Sequence, residues 1–196
     1  MPRNNLLADI PTNTSIIVLA NYRTGSTALC NILSKNYKIQ NYDEFFNTTK
    51  PDILNEKFII KIMPDHNIPK SFNEKFNDSF VIGLKRKSLV DQIISFYICH
   101  MTQVWHYKNI SQNMYYEIKI DELEIINQSR YILKMTENYN NNNLRKDLEI
   151  YYEDIIDIIE HSDYTIYPKP ANYVELFTVV TSKLKEILDY NEWGRN

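Results

Sequence analysis

The stretch that decides the fold reads Ile16-Ile-Val-Leu-Ala20, then Asn-Tyr-Arg-Thr-Gly25, then Ser26-Thr-Ala-Leu-Cys-Asn-Ile-Leu33. A continuous β-branched run is typical of a strand that is buried on both faces of a parallel sheet. After the polar break, apolar residues return at helical spacing at Leu29, Ile32 and Leu33. The segment therefore predicts a buried strand, a tight turn and a helix.

The rest of the chain repeats this alternation. Further strands are predicted at Lys57–Met63, Phe80–Leu84 and Asp147–Tyr152, the first of them stopped by Pro64. A helix is predicted to begin near Ser88, because Ser88 and Asp91 have capping-box spacing. Further helices are predicted at 121–139 and at 153–160. A terminal helix is predicted from an apolar stripe, which consists of Val174, Phe177, Val180, Leu184 and Leu188. Asn138–Asn143 is either a loop or the frayed end of a helix. Alternating strands and helices predict an α/β fold with a central parallel sheet flanked by helices.

Composition limits the function classes. The 196 residues carry 22 Lys and Arg against 25 Asp and Glu, a net charge of −3, which argues against a nucleic-acid partner. No Pro/Gly/Ser-rich linker divides the chain, so we expect one domain over residues 1–196. The longest apolar run near the start, Ser15–Ala20, is too short for a signal-peptide core or a membrane span, so we expect no membrane insertion and a cytoplasmic protein.

The two cysteines do not indicate a metal site or a disulfide. Cys30 and Cys99 both lie in apolar segments, without Cys-x-x-Cys or Cys/His ligand spacing. We therefore expect buried, reduced thiols.

The turn between the first strand and helix is suited to an anion. Backbone N–H groups at a helix start, together with the helix dipole, favour negative charge there. Gly25 permits close approach of a ligand, Ser26 and Thr27 offer hydroxyl donors, and Arg23 adds a forked cation. The alternative is a plain glycine turn before an N-capped helix.

The turn departs from that of a nucleotide kinase. A kinase or ATPase loop places Lys directly after its second Gly, and a buried strand of such enzymes ends in an Asp that holds magnesium. Here Gly25 is followed by Ser26, and the Phe80–Leu84 strand ends in Lys85-Arg86-Lys87. We therefore expect side-chain cations, and no metal, at the ligand.

A second anion contact is predicted from the basic run. Ser95 lies seven residues beyond Ser88, which is about two helical turns, so it returns to the face of the helix start. Arg86, or alternatively Lys87, would then bind a second phosphate together with Ser95. The alternative is a solvated charge cluster with a packing serine.

The segment Arg23-Thr-Gly-Ser-Thr-Ala-Leu-Cys30 resembles the 5′-phosphosulfate-binding loop of PAPS-dependent sulfotransferases, especially the bacterial trehalose-2-sulfotransferase-like group. The same group resembles this chain, in order, at Asn41-Tyr-Asp-Glu-Phe-Phe46, Ile60-Lys-Ile-Met63, Gln92-Ile-Ile-Ser95 with Thr102 and Trp105, Tyr152-Glu-Asp154 and Asn191-Glu-Trp193. The resemblance implies a P-loop-like sulfotransferase fold that binds 3′-phosphoadenosine-5′-phosphosulfate (PAPS), sulfates a hydroxyl and releases PAP.

The resemblance also implies residue roles. The 5′-phosphosulfate would lie against Arg23, Thr24, Gly25, Ser26 and Thr27, and the 3′-phosphate against Ser95 and either Arg86 or Lys87. Glu44 matches the general base of the trehalose-type group. Other sulfotransferases carry a His where this chain has Met63, and His66 would replace it only if the loop reshapes.

The implied reaction is an in-line displacement with a loose transition state. Arg23 would stabilise the leaving phosphate oxygen, while Glu44 takes the proton of the acceptor hydroxyl. The acceptor would be a small molecule, a sugar, a glycolipid or a peptide tyrosine, and a homodimer is an open alternative to a monomer. Two other classes stay open: a nucleotide or small-molecule kinase that uses ATP and magnesium, and a non-catalytic nucleotide-binding protein.

Overall fold

A computed structural model describes residues 10–11, 13–44, 46, 57–105, 116–142, 144–160 and 169–193. Within these ranges one sheet contains the strands β1 (Ile16–Ala20), β2 (Gln40–Asn41), β3 (Phe58–Ile62), β4 (Phe80–Lys85) and β5 (Leu148–Tyr151). Their order across the sheet is β2-β3-β1-β4-β5, and every neighbouring pair is parallel.

The described helices are α1 (Ser26–Tyr37), α2 (Asn73–Asn77), α3 (Leu89–Thr102), α4 (Glu122–Asn141), α5 (Tyr152–Glu160) and α6 (Tyr173–Trp193). A 3₁₀ turn at Lys70–Phe72 precedes α2. The predicted α/β fold with a central parallel sheet flanked by helices is confirmed. The asparagine-rich run is helical as far as Asn141, and Asn143 lies outside the described residues.

Burial on both sides explains the unbroken apolar run of β1 and the apolar residues around Lys61 in β3. Every residue of the two strands is buried. Side chains alternate between the two faces of a strand, and on one face Ile60 and Ile62 join Phe72, Phe76 and Tyr139 in an apolar cluster. On the other face Lys61 bonds to the start of α1. Helical segments therefore cover both faces of the sheet.

The described residues divide into two compact units. The first comprises 1–87 and 136–163 and holds the whole sheet, whereas the second comprises 88–135 and 164–196. In the second unit α3 packs against α6, and the hydroxyl of Tyr173 donates to Asp91 Oδ1. Ser88 caps α3, since its hydroxyl accepts from the Asp91 amide at 3.1 Å. The single domain over 1–196 stays a prediction.

Among the described helices, none is both long and apolar enough to cross a membrane.

Candidate functional site

The candidate site lies where β1 and β3 end, within the first unit. Parallel strands bring their carboxyl ends to one edge of the sheet, and the loops at that edge are the usual ligand positions of open α/β sheets. The pairing of Leu19 with Ile62 sets the ends of β1 and β3 side by side. The β1–α1 loop, residues 21–25, therefore lies beside the residues that follow β3.

Two residues of the β1–α1 loop have left-handed backbone. Gly25 adopts φ 77°, as glycine does readily, but Arg23 adopts φ 59°, which L residues avoid at a cost of about 1–2 kcal/mol. One hydrogen bond inside the loop and one to α4 hold this conformation. The Thr24 hydroxyl donates to Asn21 O at 2.7 Å, and Asn21 Nδ2 donates to the Thr136 hydroxyl at 2.8 Å. The loop is thus a preformed turn.

The loop ends at an open helix start. Gly25 is the N-cap residue of α1 and supplies no side-chain cap hydrogen bond, and the choice between an anion site and a plain glycine turn stays a prediction. The first N–H groups of a helix have no acceptor within the helix. The predicted residues Arg23 to Thr27 are consecutive around this start, but the hydroxyl of Thr24 is already used inside the loop. Backbone donors and Ser26 and Thr27 are therefore the groups that α1 offers to an anion.

A buried lysine that sequence reasoning did not single out reaches the same helix start. Lys61, in the middle of β3, has a side chain only 3% exposed. Its ammonium donates to the Thr27 hydroxyl at 2.8 Å and lies 2.9 Å from both Asp43 Oδ1 and Glu44 Oε1. The one signal in the sequence was a lysine inside an otherwise apolar strand.

The surroundings of Lys61 keep it charged. Burial of the ammonium favours its neutral form and is the largest single influence, but the charges of Asp43 and Glu44 and their hydrogen bonds together outweigh it. The pKa of Lys61 is therefore raised above its usual value. A permanent cation thus lies beside the start of α1.

Glu44, predicted as a general base, is part of this cluster. Its carboxylate is one-third exposed and forms an ion pair with Lys61. Lys61 thereby links Glu44 to Thr27 and the helix start, two places that are far apart in the sequence. The structure brings Glu44 to the predicted anion loop and holds its carboxylate against a cation.

His66, the alternative base, has a defined orientation. Its Nδ1 accepts from the Met63 amide at 3.2 Å, so the neutral ring carries its proton on Nε2. Nε2 is buried and has no hydrogen-bond partner among the described residues. Burial lowers the pKa of His66, although Glu44 and Asp65 act in the opposite direction. In this orientation the ring presents a donor rather than a base.

The basic run after β4 is held by acidic residues of β5 and α5. Lys85 bonds to Glu149 at 2.9 Å, and Lys87 forms an ion pair with Asp154. Arg86 lies 3.6 Å from Glu153 and donates from Nη1 to Arg23 O, so it touches the β1–α1 loop. All three cations of the run are thus paired with carboxylates, and the choice between a phosphate contact and a charge cluster stays a prediction.

Ser95, the predicted partner of Arg86 or Lys87, lies on α3 in the second unit. Its role at a second phosphate stays a prediction.

The described residues contain no group of three or more His, Cys, Asp and Glu arranged to hold a metal ion. The prediction of a metal-free site stays untested.

The chain matches no protein-family model and no curated protein. Among solved structures it is similar to retinol dehydratase, crystallised in complex with androsterone and inactive cofactor PAP, at 12% sequence identity and a TM-score of 0.37. The alignment covers 92% of this chain and 66% of that one, so the chain spans just under two thirds of that protein's length. A TM-score of this size carries no argument about the site, which rests on its own geometry.

Proposed function

We propose that this protein has a P-loop-like sulfotransferase fold and transfers the sulfuryl group of PAPS to a hydroxyl of a small molecule, sugar or glycolipid. The observation that supports this most is the position of Lys61. One buried cation contacts both the start of α1, through Thr27, and the carboxylate of Glu44. An anion site and a candidate base are thus adjacent.

The residues present fit the phosphosulfate end of PAPS. That end is anionic and accepts many hydrogen bonds, and the loop provides backbone donors at the start of α1 next to the Lys61 ammonium. Arg23 follows β1 and adds a second cation at the same loop. When bound, PAPS would supply an activated sulfuryl group whose leaving group is the 5′-phosphate of PAP.

In this proposal Arg23 and Lys61 stabilise the charge that develops on the leaving phosphate oxygen. Glu44 takes the proton from the acceptor hydroxyl. In the structure Glu44 forms an ion pair with Lys61. An anion at the loop would compete with the Glu44 carboxylate for the Lys61 ammonium.

The 3′-phosphate is assigned by this proposal to Arg86 or Lys87 with Ser95. In the structure Arg86 forms an ion pair with Glu153, and Lys87 forms one with Asp154. Because the Lys87–Asp154 pair is partly exposed, exchanging that carboxylate for a phosphate costs little.

A transfer assay tests the proposal. Radiolabelled PAPS is incubated with panels of sugars, glycolipids and small alcohols, and label in the acceptor is measured for wild type, Arg23→Ala and Glu44→Gln. We expect Glu44→Gln to lower kcat by about 10²- to 10⁴-fold while PAP affinity is retained. Arg23→Ala is expected to lower both kcat and PAP affinity.

The remaining classes predict other results. A kinase would bind ATP with magnesium and leave PAPS unused, and a non-catalytic nucleotide-binding protein would bind PAP without transfer to any acceptor. Either result contradicts the proposal.

A further inference from the structure

Arg86 makes a contact with the β1–α1 loop that phosphate binding does not require. Its side chain is only 16% exposed, and its Nη1 donates to the main-chain oxygen of Arg23 at 3.1 Å. The acceptor is a carbonyl of the loop itself, and it belongs to the residue that has left-handed backbone, with φ 59°.

The guanidinium of Arg86 is held from two further sides. Its Nε lies 3.6 Å from Glu153 Oε1, which is an ion pair rather than a hydrogen bond, and its Cζ lies over the Tyr152 ring, 4.9 Å from the ring centroid. Both partners are at the start of α5. The guanidinium is therefore fixed by α5 and in turn fixes the loop.

The carbonyl that Arg86 binds controls the direction of a neighbouring donor. In a trans peptide the C=O and the following N–H point in opposite directions. Holding Arg23 O towards Arg86 therefore turns the Thr24 N–H away from Arg86. The hydrogen bond thus sets the orientation of a loop amide as well as the conformation of Arg23.

Arg86 is distinct from its basic neighbour in this respect. Lys85 donates to Glu149 and lies over the Tyr139 ring. Both contacts lie away from residues 21–25, so Lys85 provides a matched control.

We infer that Arg86 is a positioning residue that holds the β1–α1 loop in its anion-binding conformation, whether or not it also contacts the 3′-phosphate. The inference rests on the proposed function for the identity of the ligand but not for the loop conformation itself. It predicts that loss of Arg86 loosens the loop in the ligand-free protein and weakens every ligand of that loop.

Hydrogen exchange on the ligand-free protein tests the loop directly. We compare amide exchange in peptides that cover residues 21–27, β4 and β5 for wild type, Arg86→Ala and Lys85→Ala. A hydrogen bond from a charged donor shifts the equilibrium between closed and open loop by about tenfold or more. We therefore expect the 21–27 peptide to exchange about tenfold faster in Arg86→Ala, and not in Lys85→Ala. An unchanged 21–27 peptide, or equal acceleration in β4 and β5, overturns the inference.

Chemical rescue separates positioning from general support of the fold. Low millimolar guanidinium is expected to restore protection of residues 21–27 in Arg86→Ala, whereas tetramethylammonium, which has the same charge and no N–H donor, is not. Equal effects of the two cations overturn the inference. If Arg86→Ala does not fold, Glu153→Gln replaces it, because that change weakens the orientation of the guanidinium while keeping Arg86, and we expect a smaller acceleration confined to the same peptide.

Two ligands separate positioning from a contact with the 3′-phosphate alone. Affinities are measured for PAP and for adenosine 5′-phosphosulfate, which lacks the 3′-phosphate. We expect Arg86→Ala to weaken both by at least about tenfold. A loss confined to PAP overturns the inference. If neither ligand binds wild type, the proposed function has failed and the exchange experiment still decides the role of Arg86.

Discussion

Lys61 shows how a charged group is kept inside a sheet. A lone ammonium in an apolar strand would lose its proton or destabilise the fold, because removing a charge from water is expensive. Lys61 avoids both outcomes because Asp43 and Glu44 lie 2.9 Å from its ammonium and Thr27 accepts a hydrogen bond from it. Asp43 adopts left-handed backbone, φ 50°, in doing so. The cluster combines charge at the candidate site with stability of the strand.

We predict that Lys61→Met destabilises the protein at neutral pH by about 1–3 kcal/mol, since it leaves two carboxylates without their cation. The loss stays below that of a fully buried pair because Asp43 and Glu44 are 44% and 33% exposed. Urea unfolding of wild type and Lys61→Met measures this difference in the free energy of unfolding.

The pH dependence of this difference follows from the direction of the pKa shift. The pKa of Lys61 is raised in the folded state above its ordinary 10.5. The stabilisation is therefore complete below pH 10.5 and is lost as the pH rises through the higher folded value. A wild-type advantage over Lys61→Met that is unchanged well above that pH contradicts this account of the cluster.

His66 gives the opposite pH dependence. Burial lowers its pKa in the folded state below the ordinary 6.5. The stabilisation is therefore present above pH 6.5 and is lost as the pH falls through the lower folded value. We predict that wild type loses more stability than His66→Asn between pH 7.5 and pH 5, two values about one unit or more to either side of the ordinary pKa. Asn retains an acceptor for the Met63 amide without titrating. Parallel pH profiles of the two proteins in thermal unfolding would count against a buried neutral ring.

At the scale of elements, the local apolar pattern was sufficient to predict a strand or helix where the segment is long and uniformly buried. β1, β3 and β4 and the helices that follow Gly25 and Ser88 were predicted because burial leaves an apolar pattern in the sequence. β2 was not predicted, because a strand of two residues is too short to show a periodic apolar pattern. The short α2 was not predicted either, because its five residues form little more than one helical turn.

The candidate site was predicted only in part for a related reason. The β1–α1 loop is contiguous, so its residues were found together. Lys61 contacts Thr27, 34 residues away, and Arg86 contacts Arg23, 63 residues away. Such pairings arise from the strand order of the sheet, and no spacing in the sequence encodes them.

Gly83 in β4 shows a packing requirement between two elements. A Cβ at this position would lie 2.6 Å from the hydroxyl of Tyr139 on α4 and 3.0 Å from Lys146 Cδ. Tyr139 is 4% exposed, so its ring has little room to move. Its hydroxyl has no hydrogen-bond partner among the described residues, and burial raises its pKa.

We predict that Gly83→Ala destabilises the protein by about 1–3 kcal/mol through overpacking. Tyr139→Phe, which removes a buried hydroxyl without a partner, is expected to be neutral or to stabilise by about 1 kcal/mol. The cost of Gly83→Ala should be smaller in the Tyr139→Phe background, as a double-mutant cycle in urea measures. Additive effects would show that the hydroxyl is not what Gly83 accommodates.

At the scale of the whole molecule, each compact unit carries one buried thiol. Cys30 lies in the first unit and Cys99 in the second, and both are buried and outside any disulfide, as the sequence predicted. Burial raises the pKa of Cys30 to about 12. Neither thiol should therefore react with a thiol reagent until its own unit opens.

This arrangement tests the prediction of a single domain. Cys30→Ser and Cys99→Ser each leave one reporter, and labelling is followed against urea concentration. If residues 1–196 unfold as one domain, the two variants label at the same midpoint once their stabilities are matched. Labelling of one thiol well before the other would show two domains.

The central claim is that the β1–α1 loop binds the phosphosulfate end of PAPS. Thermal unfolding with PAP, and separately with ATP and magnesium, for wild type and Arg23→Ala tests it most directly. At about 100 times its Kd a ligand stabilises by about 2.7 kcal/mol, which raises Tm by roughly 5 to 10 °C in a protein of this size. The account predicts that PAP raises the Tm of wild type and that Arg23→Ala abolishes the shift. A shift with ATP and magnesium alone, or none with either ligand, would contradict it.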